Sequence, residues 1–435
     1  MSDSTVIDSV VPLSEAEVRR IRDDFPILAT AVNGHPLAYL DSGATSQRPR
    51  AVLDAERAFA TTLNAAVHRG AHTLAAEATE VFEDARRSLA RFVGADEDEI
   101  VWTSNATEAI NLVAYSLSNA SLGRGGAAAA RLRLGEGDEI VTTEMEHHAN
   151  LIPWQELAAR TGATLRVVPL DDEGALRLDE ALRLIGDRTR IVAVTHVSNV
   201  LGVVNPVEQI VARAREVGAL VLLDACQSAP HLPLDVRALD VDFAVLSGHK
   251  MLGPSGIGAL YGRRDLLEIM PPFLTGGSMI TTVTTTTAEY MPPPQRFEAG
   301  TQRVSQAVAL AAAVDYLTEI GMPRIAAHEA ALGSRLLDGL RAIDGVRVLG
   351  GGIALPRVGL ASFDVAGIHS HDVGQFLDDR GIAVRVGHHC AQPLHRRLGV
   401  TSSTRASTYL YTIEAEVDAV LDGVAAAIDF FGARA

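Results

Sequence analysis

Residues 219–250 read ALVLLDACQSAPHLPLDVRALDVDFAVLSGHK and contain two short apolar runs, each of which ends in polar residues. The run LVLL leads directly into Asp224, and the run FAVL leads into the segment that ends at Lys250. Short aliphatic runs bounded by polar residues predict strands buried in a sheet. We therefore expect Asp224 and Lys250 to lie at the ends of two nearby strands.

The same pattern extends on both sides of this stretch. Between about residues 95 and 262, seven short apolar runs alternate with longer amphipathic stretches. Strands that alternate with helices predict an α/β fold, in which helices cover both faces of a mostly parallel sheet. Ligands of such sheets bind beyond the carboxyl ends of the strands. The polar residues that end these runs are therefore candidates as a group: Asn105, His196 to Asn199, Asp224 to Gln227 and Ser247 to Lys250.

The chain of 435 residues is long enough for a large domain and a smaller one. After residue 305 the pattern changes to alanine-rich helices, short strands and a final amphipathic helix, which predicts a smaller α+β domain. We expect a flexible tail over residues 1–13, a large domain over 36–305, and a small domain formed by 14–35 together with 306–435.

Three local segments carry their own signals. A helix is predicted to begin after Ser14, with Glu17 in the capping-box position, and to end before Pro26. Residues 119–137 combine Gly, Ala and Arg, which predicts a mobile surface loop. Residues 281–295 are rich in threonine and proline, which favours a β-hairpin or an extended arm over a helix.

The composition is that of a soluble globular protein, with 47% hydrophobic and 21% charged residues. A net charge of −16 argues against binding to nucleic acid or to an anionic membrane. No apolar run reaches the roughly 18 residues that a membrane-spanning helix needs, and no secretory signal is visible. Two cysteines cannot build a disulfide framework, which favours a reducing, cytoplasmic location.

Lys250 follows the polar residues Ser247 and His249 at the predicted end of a strand. The segment SGHK is not a Walker motif, because no glycine-rich run precedes the lysine at the required spacing. A lysine whose pKa is lowered by burial or by nearby positive charge has the free amine that forms an imine with an aldehyde. For this residue alone, a solvated surface lysine is the alternative.

Asp224 adds a second chemical group at the end of a neighbouring run. A carboxylate in this position could keep the ring nitrogen of pyridoxal phosphate (PLP) protonated, so that the ring accepts electrons from a bound amino acid. The alternative is that Asp224 is the N-cap of a helix, which is compatible with that role.

The segment TSNATEAIN (103–111) contributes a third feature. Ala106 and Thr107 open a predicted helix directly after a strand, and a helix N-terminus offers free N–H groups and a partial positive charge to a phosphate. The alternative is an ordinary capping box, formed by Ser104 or Asn105 with the glutamate that follows. Only the combination with the lysine and the carboxylate makes phosphate binding preferable.

In their order along the chain, these three features resemble the fold-type I PLP enzymes of the class V aminotransferase group. Further segments narrow the resemblance to the SufS-type, or group II, cysteine desulfurases, whose near neighbours are selenocysteine lyases. These segments are MEHHANLIPWQ (145–155), THVSNVLG (195–202), LSGHKMLGPSGIG (246–258), RFEAGT (296–301), RVGHHCAQPL (385–394) and RAS (405–407). The resemblance runs from about residue 24 to the C-terminus. It implies a large domain with a mostly parallel seven-stranded sheet flanked by helices, and a smaller α+β domain that carries Cys390.

The resemblance also implies PLP as the cofactor. Lys250 would form the imine with its aldehyde, and Gln227 would hydrogen-bond the ring hydroxyl. His147 would stack on the ring and move protons. The residues implied to hold the cofactor are Ala106, Thr107, His147, Asp224, Gln227, Ser247, His249 and Lys250, with Thr301 of the partner subunit in a homodimer.

The substrate implied by the resemblance is L-cysteine. Asn199 and Arg405 would clamp its carboxylate, with Arg385 close by, and the planar fork of an arginine suits that group. The thiolate of Cys390 would attack the sulfur of the bound cysteine, release L-alanine and keep a persulfide. A sulfur acceptor or scaffold protein of iron–sulfur cluster assembly would then take the sulfur. L-selenocysteine is the alternative substrate, which would make the protein a selenocysteine lyase.

Cys390 admits other interpretations. A free thiol has a pKa near 8.5, so only about a few per cent is thiolate at neutral pH; His388, His389 and Arg385 could raise that fraction. Zinc binding by the two histidines and the cysteine is disfavoured, because neighbours in an extended segment point opposite ways, and we expect no metal. Structural burial is a further alternative. An aminotransferase or C–C lyase would not need Cys390, and an inactive scaffold would only retain the cofactor.

Four features depart from the family pattern, and one of them is the pair Thr412 and Ile413, where Asn-Thr is common before the last helix. Cys226 lies where a small residue such as alanine is usual, and we expect it to be an inert buried thiol. Gln302 and Arg303 replace the usual Pro-Asn pair, and the insert at about residues 120–135 is longer than expected. None of these differences removes a proposed catalytic group.

Overall fold

The computed structural model describes residues 10–432. Residues 1–9 of the predicted tail lie outside this range, and Leu13 is already buried. The strands are β1 (Ala31–Val32), β2 (His35–Pro36), β3 (Ala38–Tyr39), β4 (Ile100–Thr103), β5 (Glu139–Thr143), β6 (Thr164–Val168), β7 (Thr189–Thr195), β8 (Leu220–Asp224), β9 (Phe243–Ser247), β10 (Gly258–Gly262), β11 (Ile280–Val283), β12 (Ala288–Tyr290), β13 (Val346–Val348), β14 (Leu360–Val365), β15 (Ile382–Ala383), β16 (Arg385–Gly387) and β17 (Ser403–Ser407).

The α-helices are α1 (Glu15–Asp23), α2 (Arg50–Ala58), α3 (Thr73–Val93), α4 (Ala106–Ser121), α5 (Ile152–Thr161), α6 (Leu178–Leu184), α7 (Val207–Val217), α8 (Arg264–Ile269), α9 (Val304–Ile320), α10 (Met322–Arg341), α11 (Ser370–Asp378), α12 (Gln392–Arg397) and α13 (Glu414–Gly432). None of the helices in the described residues is long and apolar enough to span a bilayer.

A seven-stranded sheet lies at the centre of the described chain, with the order β4-β10-β9-β8-β7-β5-β6. Strands β9, β8, β7, β5 and β6 are parallel, whereas β10 is antiparallel to both of its neighbours. The predicted α/β fold with a mostly parallel sheet is therefore confirmed. Asp224 ends β8 and pairs with Val245 of β9, so Asp224 and Lys250 follow adjacent strands as predicted.

The central strands read as continuous apolar runs because both faces of the sheet are covered. Leu222 and Leu223 are fully buried but belong to different apolar clusters, since successive side chains of a strand point to opposite faces. Fully burying one such side chain stabilises the fold by about 1.5–3 kcal/mol. Because apolar side chains are buried on both faces of the sheet, polar residues such as Asp224 lie at its carboxyl edge.

The C-terminal part of the chain forms a second, antiparallel sheet with the order β13-β14-β17-β16. Residues Arg385 and Arg405 pair directly across β16 and β17. The short strand β15 pairs in parallel with β3, and Ala38 joins the apolar cluster of this sheet. The N-terminal segment thus packs on the C-terminal part, while the exact domain boundaries remain a prediction.

Two of the three local segments have the structure expected. Ser14 caps α1, and Glu17 bonds back to the Ser14 backbone, which is the predicted capping box. Strands β11 and β12 form a hairpin. The insert after α4 instead contains a 3-10 helix with Ala129 and Leu132 buried, so apolar contacts attach it to the body of the protein.

Candidate active site

A cavity of about 250 Å³ lies between the carboxyl edge of the large sheet and the C-terminal sheet. Most of the residues proposed from the sequence line it: Ala106, Thr107, His147, Asn199, Asp224, Gln227, Ser247, His249, Lys250, Arg385, Cys390 and Arg405. Both cysteines of the chain and its single lysine line this cavity. The absence of any other lysine from the sequence also singles out Lys250.

Thr301 is the proposed site residue that does not line this cavity. It is exposed and precedes α9. Its neighbour Gln302 donates to the Ser278 hydroxyl at 2.8 Å, and Arg303 lies 3.9 Å from Glu108 of α4. A role for Thr301 in the partner subunit therefore stays a prediction.

The first turn of α4 is capped by side chains and also lines the cavity. The side chain of Asn105 accepts the N–H of Glu108 at 2.9 Å, and the Glu108 carboxylate accepts the N–H of Ser104 at 2.7 Å. The capping interaction considered as an alternative to phosphate binding is therefore present in the structure. The N–H of Ala106 also donates to the Ser247 hydroxyl at 3.0 Å, which fixes the helix N-terminus beside the end of β9.

The ring-binding part of the cavity fits PLP. A carboxylate oxygen of Asp224 accepts the N–H of Cys226 at 3.0 Å in a turn, so Asp224 does not cap a helix. Gln227 donates from Nε2 to the carbonyl of Gly43 at 2.7 Å, whereas its Oε1 is buried without a partner in the described residues. An unpartnered acceptor, a carboxylate and the amine of Lys250 suit the hydroxyl, ring nitrogen and aldehyde of that cofactor.

His147 is held as a neutral ring. Its Nδ1 accepts the N–H of Ala149 at 3.0 Å. Burial, together with the positive charge of Lys250, lowers the pKa of His147 to about 4. The single proton of the neutral ring is therefore on Nε2.

Glu146 anchors the segment that carries His147 and was not identified from the sequence. One of its carboxylate oxygens accepts the N–H of Thr195 at 3.0 Å, and the other accepts from Nδ2 of Asn150 at 2.6 Å. Burial raises the pKa of Glu146 to about 8. This residue ties the segment to the end of β7, on the cavity side of the sheet.

The segment with Cys390 is short and tightly held, as predicted. Cys390 itself is exposed, so the structural-burial alternative is wrong. The N–H of His148 donates to the Cys390 carbonyl at 2.7 Å, and the Asn199 side chain donates to the carbonyl of His389 at 2.7 Å. Within residues 10–432, no three His, Cys, Asp or Glu side chains form a group that could hold a metal ion.

Two arginines from the C-terminal sheet face the cavity. Arg405 is buried and donates to the carbonyl of Asn199 at 2.8 Å, whereas the side chain of Arg385 is 49% exposed. Asp41 lies 3.3 Å from Arg405 and 3.7 Å from Arg385. Asp41 is a second residue that was not identified from the sequence.

Cys226 is the second thiol of the cavity. Its sulfur lies 3.7 Å from the Ser247 hydroxyl. Burial, reinforced by the negative charge of Asp224, raises the pKa of Cys226 well above its ordinary value. The thiol therefore stays protonated at neutral pH, in line with the inert role expected of it.

The sequence model of the class V aminotransferase family, described as Aminotransferase class-V, matches residues 38–420. The chain belongs to this family. It is 56% identical over 424 residues to the probable cysteine desulfurase 2 of Mycobacterium leprae, which covers 97% of this chain and 99% of that protein.

Two solved structures extend the comparison. The apo cysteine desulfurase of Thermococcus onnurineus has a TM-score of 0.87 and 38% identity, over 94% of this chain and 98% of that one. The cysteine desulfurase CsdA of Escherichia coli has a TM-score of 0.84 and 37% identity, over 95% and 98%. The fold-type I architecture and the resemblance to cysteine desulfurases are thus confirmed, while the assignment to group II stays a prediction.

Proposed function

We propose that this protein is a PLP-dependent cysteine desulfurase that converts L-cysteine to L-alanine and keeps the removed sulfur as a persulfide on Cys390. One observation carries the proposal: Cys390 and Lys250, which are distant in the chain, line the same cavity. The similarity to proteins named cysteine desulfurases over nearly the full length supports the same reaction. An aminotransferase would have no use for an exposed thiol in this position.

PLP bound in this cavity would supply an electron sink for the substrate carbon that loses its proton. Lys250 would hold its aldehyde carbon, and Asp224 would pair with its ring nitrogen. The unpartnered Oε1 of Gln227 would accept a hydrogen bond from the ring hydroxyl. The first turn of α4, with Ser247 and His249, would hold the phosphate.

Arg405 would bind the carboxylate of L-cysteine. Its position is fixed by the carbonyl of Asn199 and by Asp41, and its Nε is buried without a partner in the described residues. A substrate carboxylate would supply the missing acceptor in a charge-assisted hydrogen bond. Arg385 adds positive charge at the exposed side of the cavity.

Two groups are available to move protons. The amine of Lys250, once the amine of the substrate has displaced it from the aldehyde carbon, would take the proton from Cα of the bound cysteine, since it lines the same cavity. His147 is neutral and carries a proton on Nε2, so this N–H would donate a hydrogen bond to the bound substrate, and the ring would pass on a proton only after taking one up.

Cys390 would accept the sulfur. Its thiolate bonds to the sulfur of the substrate, the bond between Cβ and sulfur breaks, and Cβ keeps the electron pair. Cβ then gains a proton and becomes the methyl group of L-alanine. The exposure of Cys390 leaves the resulting persulfide open to a second protein.

We further propose a cytoplasmic homodimer that donates sulfur to an acceptor or scaffold protein of iron–sulfur cluster assembly. The family resemblance supports this assignment. In the homodimer, Thr301 of the partner subunit would complete the phosphate site, and the exposure of Thr301 outside its own cavity is compatible with that role.

Release of alanine from L-cysteine by the PLP-loaded protein, with a reductant present, tests the proposal. Cys390→Ala should reduce turnover by about 100-fold or more, because the nucleophile is lost. Cys226→Ala is the matched control and should remain within about threefold of wild type, because a thiol with a raised pKa is a poor nucleophile. A loaded wild type that is inert toward cysteine would contradict the proposal. Faster turnover with L-selenocysteine that does not depend on Cys390 would identify a selenocysteine lyase.

A further inference from the structure

Cys390 lies in a strained turn. His389 and Cys390 both have left-handed backbone conformations, with φ of 50° and 55°. Non-glycine residues rarely adopt this conformation, and two in succession persist only where surrounding contacts enforce them. Two such contacts reach the carbonyl groups of the turn, one from Asn199 to His389 and one from His148 to Cys390.

The third contact is made by the buried ring of His389. Its Nε2 lies 3.0 Å from the hydroxyl of Ser403, and the same hydroxyl lies 3.0 Å from Nε2 of His395. Ser403 is buried on β17 and His395 is buried on α12. One hydroxyl group therefore joins a strand, a helix and the turn that carries the nucleophile.

The partners determine the direction of each hydrogen bond. Nδ1 of His395 lies 3.0 Å from the carbonyl oxygen of Ala391, which can only accept, so this Nδ1 carries the proton. Burial lowers the pKa of His395, so its ring is neutral and Nε2 accepts the proton of the Ser403 hydroxyl. The Ser403 oxygen in turn accepts from Nε2 of His389, whose pKa burial lowers to about 2. The three groups form one ordered chain with His389 in a single orientation.

We propose that Ser403 and His395 are positioning residues for the sulfur-transfer step, because through the ring of His389 they hold the strained turn that presents Cys390. This proposal rests on the proposed role of Cys390 as sulfur acceptor. Neither Ser403 nor His395 lines the cavity, so both act through His389. Loss of the ring contact would let the turn relax and move the thiol, while Arg405 and Lys250 keep their places.

The test compares PLP-loaded wild type with Ser403→Ala, Ser403→Thr and the control Ser370→Ala. Ser370 is also a buried serine of the C-terminal part, but its hydroxyl bonds to Ser402 instead. Ser403→Ala should lower kcat for alanine release by about tenfold or more and leave KM within about threefold. Ser403→Thr, which retains the hydroxyl, should restore most of kcat, and Ser370→Ala should match wild type.

The second readout is the rate at which iodoacetamide alkylates Cys390 in the absence of cysteine, followed by mass on its peptide. Because it needs no turnover, it tests the turn even if the proposed reaction is wrong. The rate should fall by about threefold or more in Ser403→Ala and recover in Ser403→Thr. If Ser403→Ala does not fold, His395→Asn takes its place, since asparagine can still donate to Ala391 but is too short to reach Ser403. Wild-type kcat and alkylation rate in the variant used would overturn the proposal, as would a threonine variant as impaired as the alanine variant.

Discussion

The backbone N–H of His148 donates a 2.7 Å hydrogen bond to the carbonyl of Cys390. His148 also accepts the N–H of Gln392 on its ring Nε2 at 3.1 Å. The segment that carries His147 is thus tied directly to the segment that carries the thiol. The proposed reaction requires a thiol close to the amine of Lys250, and both residues line the cavity between the C-terminal sheet and the carboxyl edge of the large one.

Lys250 is the only lysine of the chain, so attachment of the cofactor has one possible side chain. We predict that borohydride reduction of the PLP-loaded protein adds the mass of the reduced cofactor to the peptide with Lys250. Lys250→Ala should gain no such mass and should lose the visible absorbance of the loaded protein. A modified α-amino group with an unmodified Lys250 would refute this assignment.

Arg405 and Arg385 are predicted to contribute unequally to substrate binding. Arg405→Lys should raise KM for L-cysteine by about 10- to 100-fold, because losing a hydrogen bond to a charged group costs roughly 1.5–3 kcal/mol. Arg385→Lys should have a smaller effect, since Arg385 is half exposed and its contact with Asp41 is longer. Steady-state kinetics of both variants provide the check, and the reverse ranking would show that Arg385 is the main carboxylate ligand.

Much of this site could be predicted because the carboxyl ends of parallel strands meet at one edge. Asp224 and Ser247 end adjacent strands, so two short apolar runs sufficed to bring them together. The segment with His147 follows β5 in the same way. Residues whose position depends on the sheet pattern were therefore accessible from the sequence alone.

The residues that were missed depend on packing between distant segments. Asp41 contacts Arg405 across 364 positions of the chain, and no local pattern announces that pairing. Ser403 joins His389 and His395 only because β16, β17 and α12 pack together. The left-handed conformation of Cys390 was equally hidden, since neither Cys390 nor His389 before it is a glycine.

His196 is predicted to make stability depend on pH. It is buried, and burial alone lowers its pKa to about 4. In the unfolded chain this histidine takes up a proton at about pH 6.5. Its contribution to the free energy of unfolding is therefore fully present above that pH and is lost as the pH falls toward 4. The loss should reach about 1.4 kcal/mol per pH unit.

His196→Gln removes the titrating ring and isolates this contribution. The free energy of unfolding of wild type relative to the variant should decrease between about pH 6.5 and 4 with the slope given above. Urea denaturation of both proteins across this range measures the difference. Parallel stability curves would contradict the prediction, because they would mean that His196 binds its proton equally in the folded and unfolded chains.

Sulfur transfer to Cys390 is tested most directly by the mass of the peptide that contains Cys390 after brief incubation with L-cysteine and quenching. We predict one added sulfur atom on that peptide in the PLP-loaded wild type and none in Lys250→Ala. Added sulfur on the Cys226 peptide, or none on either peptide while alanine is released, would contradict it.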